Sequence, residues 1–374
     1  MSVLNPGRPH RFLIACGGTG GHLAPGIALA EGLIARGHEP TLLISRKKVD
    51  ARLIAKYSTL NFERMPGRPF SWQPFRLAAC IACEVRAFFF CLRLLASRRT
   101  DVVVGFGGFT SAPAVMAGRF SRVPVALHES NRVPGMATRA LGRFAARVYL
   151  PFGVRLRGVG PTAERHAGQP VRREISRLPQ SEARLALGLD PNLPVLAILG
   201  GSQGAASLNL WTTEHVAQLA AEGIQVYCLT GLDKGKPEVR ELKTKQGAPI
   251  RAVFAPFCDR MAELLSASDL VISRAGAGTL AELIRCETPA ILVPYPHAAD
   301  DHQRPNAAFF ERQGGGLVVD QSALAGLSAE VLDVIFNDWL LRKFRGNLRR
   351  MDRANSLELI LADLEEIAGR APAP

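Results

Sequence analysis

Residues 12–22, Phe12-Leu13-Ile14-Ala15-Cys16-Gly17-Gly18-Thr19-Gly20-Gly21-His22, set a short apolar run directly against a cluster of glycines. Phe12–Ala15 has the length and hydrophobicity of a buried strand, and the residues beyond the glycines carry helical spacing. Glycines let a backbone turn tightly and approach an anion, and the helix that follows offers free N–H groups with about half a positive charge. The arrangement returns where Val195–Leu199 runs into Gly200-Gly201-Ser202-Gln203-Gly204, and a third turn, Gly105-Phe106-Gly107-Gly108, follows Val102–Val104. Turns of this kind at the carboxyl ends of parallel strands are where open α/β sheets bind ligands.

Thr41–Ile44 and Val125–Leu127 continue the first series of strands, and Gln225–Leu229, Ile250–Phe254, Leu270–Ser273 and Ala290–Val293 continue the second. Strands alternating with amphipathic segments predict parallel sheets covered on both faces. The expected class is α/β, with two Rossmann-like, doubly wound domains facing a central cleft. Residues 1–160 form the first domain and 195–337 the second. Residues 161–194, rich in glycine, proline and charge, read as a linker, and 338–374 as a C-terminal helical segment crossing back to the first domain. Neither G-x-G-x-x-G nor G-x-x-x-x-G-K-[ST] occurs, which removes the main support for a dinucleotide or Walker-type ATP site.

With 47% hydrophobic and 21% charged residues, the chain falls in the globular range and outside the disordered, collagenous and coiled-coil classes. Its longest hydrophobic run, Leu77 to Cys83, is far short of the roughly 20 residues that span a bilayer. The apolar stretch at Phe12–Cys16 is too short for a signal peptide. Seven scattered cysteines do not form a disulfide framework, and a cytoplasmic protein is expected. Cys80 and Cys83 stand as a lone C-x-x-C and read as small residues on a helix face. The net charge of +13 is uneven: residues 1–160 hold 23 Lys and Arg against 7 Asp and Glu, while the remainder hold 23 against 26. A basic first half suits an anionic partner, either nucleic acid, a phosphorylated substrate or an anionic membrane. Few aromatic residues alternate with the basic ones, so nucleic acid is not expected.

At the mouth of the first turn, His22 can act as a general base or simply cap and pack, and the positive helix end favours the neutral imidazole a base requires. Ser273-Arg274-Ala275-Gly276-Ala277-Gly278-Thr279-Leu280-Ala281-Glu282 reads as a strand end, a small-residue turn and a helix start, with Glu282 expected in the first helical turn. There a carboxylate can accept from a ribose diol or oppose the helix dipole. His297 and His302 with Asp300 and Asp301 match no standard metal-ligand spacing, so no metal is expected.

Seven motifs, GGTGGHLAPGIALAEGL, VGFGGFTSAP, HESNRVPG, GQPVR, LGGSQGA, SRAGAGTLAEL and HAADDHQRPNA, together resemble the bacterial cell-wall glycosyltransferases of family 28 over essentially the whole chain. These add N-acetylglucosamine to undecaprenyl-pyrophosphoryl-N-acetylmuramyl pentapeptide. The resemblance implies a GT-B fold, the donor UDP-N-acetylglucosamine, no cofactor, and residence at the cytoplasmic face of the inner membrane as a peripheral protein. It places the donor pyrophosphate at Thr19, Gly20, Gly21 and Ser202 with Arg172 beside it, the ribose at Glu282, backbone from Ala277, Gly278, Thr279, Leu280 and Ala281 near the nucleotide, and Phe257 and Cys258 beside the uracil. Gln303, Asn306 and Asn131 would address the sugar. The α-linked donor and β1→4 product imply a single inverting displacement with one base, expected to be His22, with Glu129 as the alternative.

The lipid acceptor gives the basic half a role. Within 70–99, Leu77, Ile81, Val85, Phe88, Leu92 and Leu95 recur at helical spacing among Arg76, Arg86, Arg93, Arg98 and Arg99, a pattern that suits both a core helix and a membrane interface. Two positions depart from the family pattern: Ser130 stands for a glutamine, and Thr110 for a small aliphatic residue. A related transferase with another acceptor, or a non-catalytic nucleotide-sugar-binding protein, would share the donor motifs.

Overall fold

The computed structural model describes residues 8–18, 20–45, 54–66, 74–201, 204–232, 234–298, 301–352 and 356–369. The chain divides into two units, the first formed by 1–173 with 353–374 and the second by 174–352.

In the first unit, β1 (Arg11–Ala15), β2 (Glu39–Ile44), β3 (Asn61–Arg64), β4 (Val102–Gly105), β5 (Val125–His128), β6 (Arg147–Leu150) and β7 (Glu164–His166) form one parallel sheet. Their order is β3-β2-β1-β4-β5-β6-β7. Strand residues alternate between two cores. Phe12, Ile14, Leu42, Val102 and Val104 meet α1 (Gly20–Ala35), while Leu13, Ala15, Leu43, Val103 and Val125 meet α2 (Pro74–Arg98) and α3 (Gly108–Phe120). Both faces are buried, as near-continuous apolar runs require.

The second unit repeats the plan. β8 (Val195–Leu199), β9 (Gln225–Leu229), β10 (Glu238–Lys243), β11 (Pro249–Ala255), β12 (Leu270–Ser273), β13 (Ala290–Leu292) and β14 (Gly316–Val318) run in the order β10-β11-β9-β8-β12-β13-β14. All pairs are parallel except that of β10, the edge strand, which lies antiparallel on β11. Without β10 and β7, the two sheets share one winding order, reversing direction between β1 and β4 in the first and between β8 and β12 in the second.

Two expectations change. The segment 161–194 is built into both units rather than free: β7 pairs with β6, and a short helix, Gln180–Ala186, is anchored where Gln180 and Arg184 donate to Asp269. The described residues of the tail 338–374 form two helices. Asp338–Met351 buries Leu341 and Phe344 in the second unit, and Ser356–Gly369 buries Ile360, Leu361, Leu364 and Ile367 in the first. Residues 353–355 between them lie outside the described residues.

Candidate active site

Both sheets place their glycine turns at the strand ends where the winding reverses, the position at which such sheets bind ligands. In the first unit Gly17 cannot be larger: a Cβ there would lie 2.3 Å from the Ser45 amide nitrogen, just beyond β2. The turn is stitched to the one after β4. Thr110 Oγ1 donates to Gly17 O (3.0 Å), Ser111 Oγ donates to Ala15 O (3.3 Å), and the Phe106 amide donates to Ala15 O (2.9 Å). Thr110, the departure noted above, therefore fastens the two turns together.

His22 is the third residue of α1 and half-buried. Its ring lies over the second turn, with Nδ1 and Cε1 3.2 Å from where a Gly108 Cβ would stand. Gly20 and Gly21 open the same helix; Thr19 lies outside the described residues.

Glu129, the alternative base, is 6% exposed and spends both carboxylate oxygens internally. Oε1 accepts from the Asn131 amide (2.9 Å) and Asn131 Nδ2 (3.1 Å); Oε2 accepts from the Gly135 amide (2.8 Å) and Thr138 Oγ1 (3.0 Å). Such a carboxylate organises the loop 129–138 rather than reaching a substrate, and it holds Asn131 in place. Beside it His128 is fully buried, its Nε2 3.3 Å from Gly168 O, and burial pushes its imidazole down to about 4, so it is neutral. Ser130 Oγ stands 3.4 Å from His128 Nδ1. Arg172 is buried at 8% exposure, with Nη1 3.4 Å from Tyr57 Oη.

In the second unit Gly204 has φ +68°, and a Cβ on it would meet Thr230 O, just beyond β9, at 2.1 Å. Ser202 lies outside the described residues. The helix α4 (Ala206–Ala221) follows. At the end of β12, Gly276 caps α5 (Ala277–Arg285), so Ala277, Gly278 and Thr279 present their amides as the helix's first N–H groups, while the Leu280 amide already donates to Gly276 O. Glu282 is the sixth helical residue. The expectation of a first-turn carboxylate is thus corrected, because the small residues from Ala277 onward are already helical; Glu282 lies in the second turn, half-buried.

Gln303 opens α6 (Gln303–Arg312), and its Oε1 accepts from the Tyr295 amide at 2.9 Å. Asn306 is 2% exposed and donates to Ala275 O at 3.2 Å, which fixes the turn before α5. Cys258 is buried against the Tyr227 hydroxyl, burial pushes its thiol up, and neighbouring Phe257 is half-buried.

Sequence reasoning passed over Arg274. It stands immediately after β12, is 9% exposed, and donates to Ser207 Oγ (2.9 Å), Gln321 Oε1 (2.6 Å) and Val293 O (3.0 Å). The available signal was an arginine closing the apolar run Leu270–Ser273 next to a small-residue turn. Among the described residues no group of three or more His, Cys, Asp or Glu could hold a metal ion.

Residues 12–150 match the glycosyltransferase family 28 N-terminal domain, and 195–347 the family 28 C-terminal domain. The chain is 63% identical over 356 residues to the UDP-N-acetylglucosamine--N-acetylmuramyl-(pentapeptide) pyrophosphoryl-undecaprenol N-acetylglucosamine transferase of Opitutus terrae, covering 95% of this chain and 94% of the relative. It is 36% identical to the enzyme of the same name from Trichormus variabilis, covering 96% and 99%. Among solved structures, Acinetobacter baumannii MurG superposes with a TM-score of 0.71 at 24% identity, covering 96% of this chain and 99% of that one, which shows a shared fold. The identity to curated relatives along nearly the full length, with both halves of the domain pair matched in order, makes this chain a member of glycosyltransferase family 28.

Proposed function

We propose that this protein transfers N-acetylglucosamine from UDP-N-acetylglucosamine to the C4 hydroxyl of undecaprenyl-pyrophosphoryl-N-acetylmuramyl pentapeptide, the lipid-linked step of peptidoglycan synthesis. The observation that carries this is the 63% identity over 95% of the chain to a transferase of that name. The reaction inverts the anomeric centre in one displacement. The acceptor oxygen attacks C1 as the bond to UDP breaks, its proton passes to a base, and negative charge grows on the departing diphosphate.

His22 serves as that base. Its ring sits on the backbone of the second turn at the open end of the sheet, whereas both oxygens of Glu129 are occupied within their own loop. The second unit holds the donor. Amides of the turns after β8 and β12 face the diphosphate, with Ser202 in the first of them, and Arg172 adds a permanent charge. Glu282 takes the ribose hydroxyls, and backbone beside Phe257 and Cys258 takes the uracil. Gln303 addresses the sugar from its amide, Asn131 is a second amide assigned to it, and Asn306 supports the turn under the nucleotide.

The acceptor is a membrane lipid, so the protein docks peripherally at the cytoplasmic face. No helix among the described residues is long and apolar enough to cross a membrane. On α2 the core takes Cys80, Ala87, Cys91, Leu94 and Leu95, which leaves Ile81, Val85 and Phe89 exposed as a stripe. Met116 and Phe120 of α3 are exposed as well, and Phe120 meets Phe88 edge-on. Arg86, Arg93, Arg119 and Arg122 are exposed nearby in the chain. This apolar and cationic combination suits an anionic bilayer. The Leu77 and Trp72 side chains lie outside the described residues.

The deciding experiment incubates the protein with radiolabelled UDP-N-acetylglucosamine and a short-chain analogue of the muramyl lipid, with and without chelator. Label in the lipid product supports the proposal; its absence with every acceptor tested refutes it. Replacing Arg86 and Arg93 with glutamate should reduce sedimentation with anionic vesicles at low salt, and unchanged sedimentation refutes the docking face.

A further inference from the structure

Arg274 is a buried guanidinium whose hydrogen-bond partners among the described residues are all neutral. Nη1 donates to Val293 O (3.0 Å) and Pro294 O (3.4 Å), Nη2 donates to Ser207 Oγ (2.9 Å) and Gln321 Oε1 (2.6 Å), and Cζ lies 5.3 Å from the centre of the Tyr295 ring. Its hydrogen-bond partners among the described residues include no carboxylate, and burial lowers its pKa. Burying a charge without a counter-ion is expensive, and stability alone is better served by an apolar residue of similar volume. What the guanidinium provides is a rigid planar fork that reaches three segments at once: the first turn of α4, the chain leaving β13, and the turn at Gln321.

One of those segments leads to the sugar. Val293 and Pro294 are held by their carbonyls and Tyr295 by its ring, which fixes the Tyr295 peptide; its N–H donates to Gln303 Oε1 at 2.9 Å. With the oxygen so engaged, the Gln303 amide has a defined orientation, and its NH2 is the half left to donate to a ligand. We infer that Arg274 is a positioning residue that sets sugar specificity by registering the Val293–Tyr295 segment, and through it Gln303, against the glycine turn that precedes α4. The inference rests on the reading of the second unit as the donor site.

The test is calorimetric binding of UDP, UDP-N-acetylglucosamine and its C4 epimer UDP-N-acetylgalactosamine to the full chain. Arg274→Lys keeps the charge and loses the fork. It should leave UDP affinity within about threefold, weaken UDP-N-acetylglucosamine by about tenfold, and reduce the preference between epimers by a similar factor. In a Gln303→Leu background the same change should cost no further discrimination, because the path is already cut. Equal losses for UDP and the UDP-sugar, or additive losses in the double variant, overturn the role. If Arg274→Lys does not fold, Tyr295→Leu alters an exposed ring on the same path and should lower discrimination less; unchanged discrimination overturns the inference. Wild-type protein that binds UDP but shows no preference for UDP-N-acetylglucosamine over its epimer overturns this role alone, whereas failure to bind UDP overturns the donor-site reading with it.

Discussion

The two units share a winding order and place the same demand on one glycine, yet they surround their turns with opposite chemistry. In the first, Gly17 is pressed by Ser45 beyond β2; in the second, Gly204 is pressed by Thr230 beyond β9. Each is crowded by the strand next to the turn's own, so the requirement belongs to the topology. The side chains around the turns diverge. The first unit brings hydroxyls, His22 and a buried neutral His128 to its turns, while the second buries the Arg274 cation among neutral oxygens. Sequence charge runs the other way, since the strongly basic half of the chain builds the first unit. Surface charge there suits encounter with an anionic partner, whereas the internal cation of the second unit ties three of its own segments together.

The largest effect should come from the glycines that topology demands. Gly17→Ala and Gly204→Ala each force a Cβ into backbone, and Gly204 has positive φ besides, so each should destabilise its own unit by about 4 kcal/mol or more. Gly276 supplies the contrast. Its φ is −70° and a Cβ on it meets nothing within 4 Å, so Gly276→Ala should leave the melting temperature unchanged while weakening UDP binding. Thermal melts with calorimetry on the three variants separate glycines needed for folding from one needed for ligand approach. A Gly204→Ala protein melting like wild type breaks the parallel between the units.

Next in size is the functional division. His22→Ala should lower turnover by roughly two to four orders of magnitude while UDP affinity stays within about threefold, as expected of a proposed base that takes no part in holding the nucleotide. Steady-state kinetics beside calorimetry decide it. Equal losses in both make His22 a positioning group.

The part of this comparison legible in the sequence was the part written in contiguous apolar runs and glycines. Phe12–Ala15 and Val195–Leu199 announce their strands, and the glycines announce the turns. β3, β6, β7, β10 and β14 were not legible, being short or edge strands whose pairing is decided by neighbours distant in sequence; Glu238–Lys243 alternates charge and carries no buried run. Glu129 looked like a base because its four donors become visible only once residues 131–138 fold around it. Arg274 was hidden because its acceptors come from Ser207, Val293, Pro294 and Gln321, segments up to 67 residues away. The placing of His22 beside the turns was legible, because the turn that positions it adjoins it in sequence.

Acid should also separate the units. His128 has its pKa lowered from 6.5 to about 4, so the folded first unit binds fewer protons than the unfolded chain across that window. Its contribution is complete above pH 6.5 and is lost as pH falls toward 4, on the order of 3 kcal/mol. Glu84 opposes it. Burial raises its carboxyl from 4.5 to about 7, a contribution that is present below 4.5 and lost as pH rises through 7. With Glu84 only half buried, solvent screening leaves roughly 1–2 kcal/mol, so His128 prevails and the first unit weakens between pH 6.5 and 4. In the second unit the hydrogen bond from Arg349, with Arg177 nearby, holds Glu287 below its ordinary value, and that contribution fades only below about 4.5. Hydrogen exchange at pH 5 should show β5 opening more readily than β8. Glu84→Gln should steepen the first unit's acid sensitivity, and His128→Asn should reverse its slope; matching slopes in all three proteins remove His128 as the cause.

The smallest effect tests the second unit's one proposed anionic contact with its ligand. Glu282 sits in the second turn of α5, too far along to act on the helix dipole, whose influence is confined to the first turn. Removing it should therefore not weaken the helix, and the melting temperature of Glu282→Ala should match wild type. If the carboxylate accepts from both ribose hydroxyls, its loss should weaken UDP binding about tenfold, or 1.4 kcal/mol. The 2′-deoxy nucleotide should then bind wild type and variant with a smaller difference, because one of the two hydrogen bonds is already gone. Unchanged UDP affinity in Glu282→Ala would leave the anionic ligand held by amides and cations alone, which would sharpen the contrast between the two units.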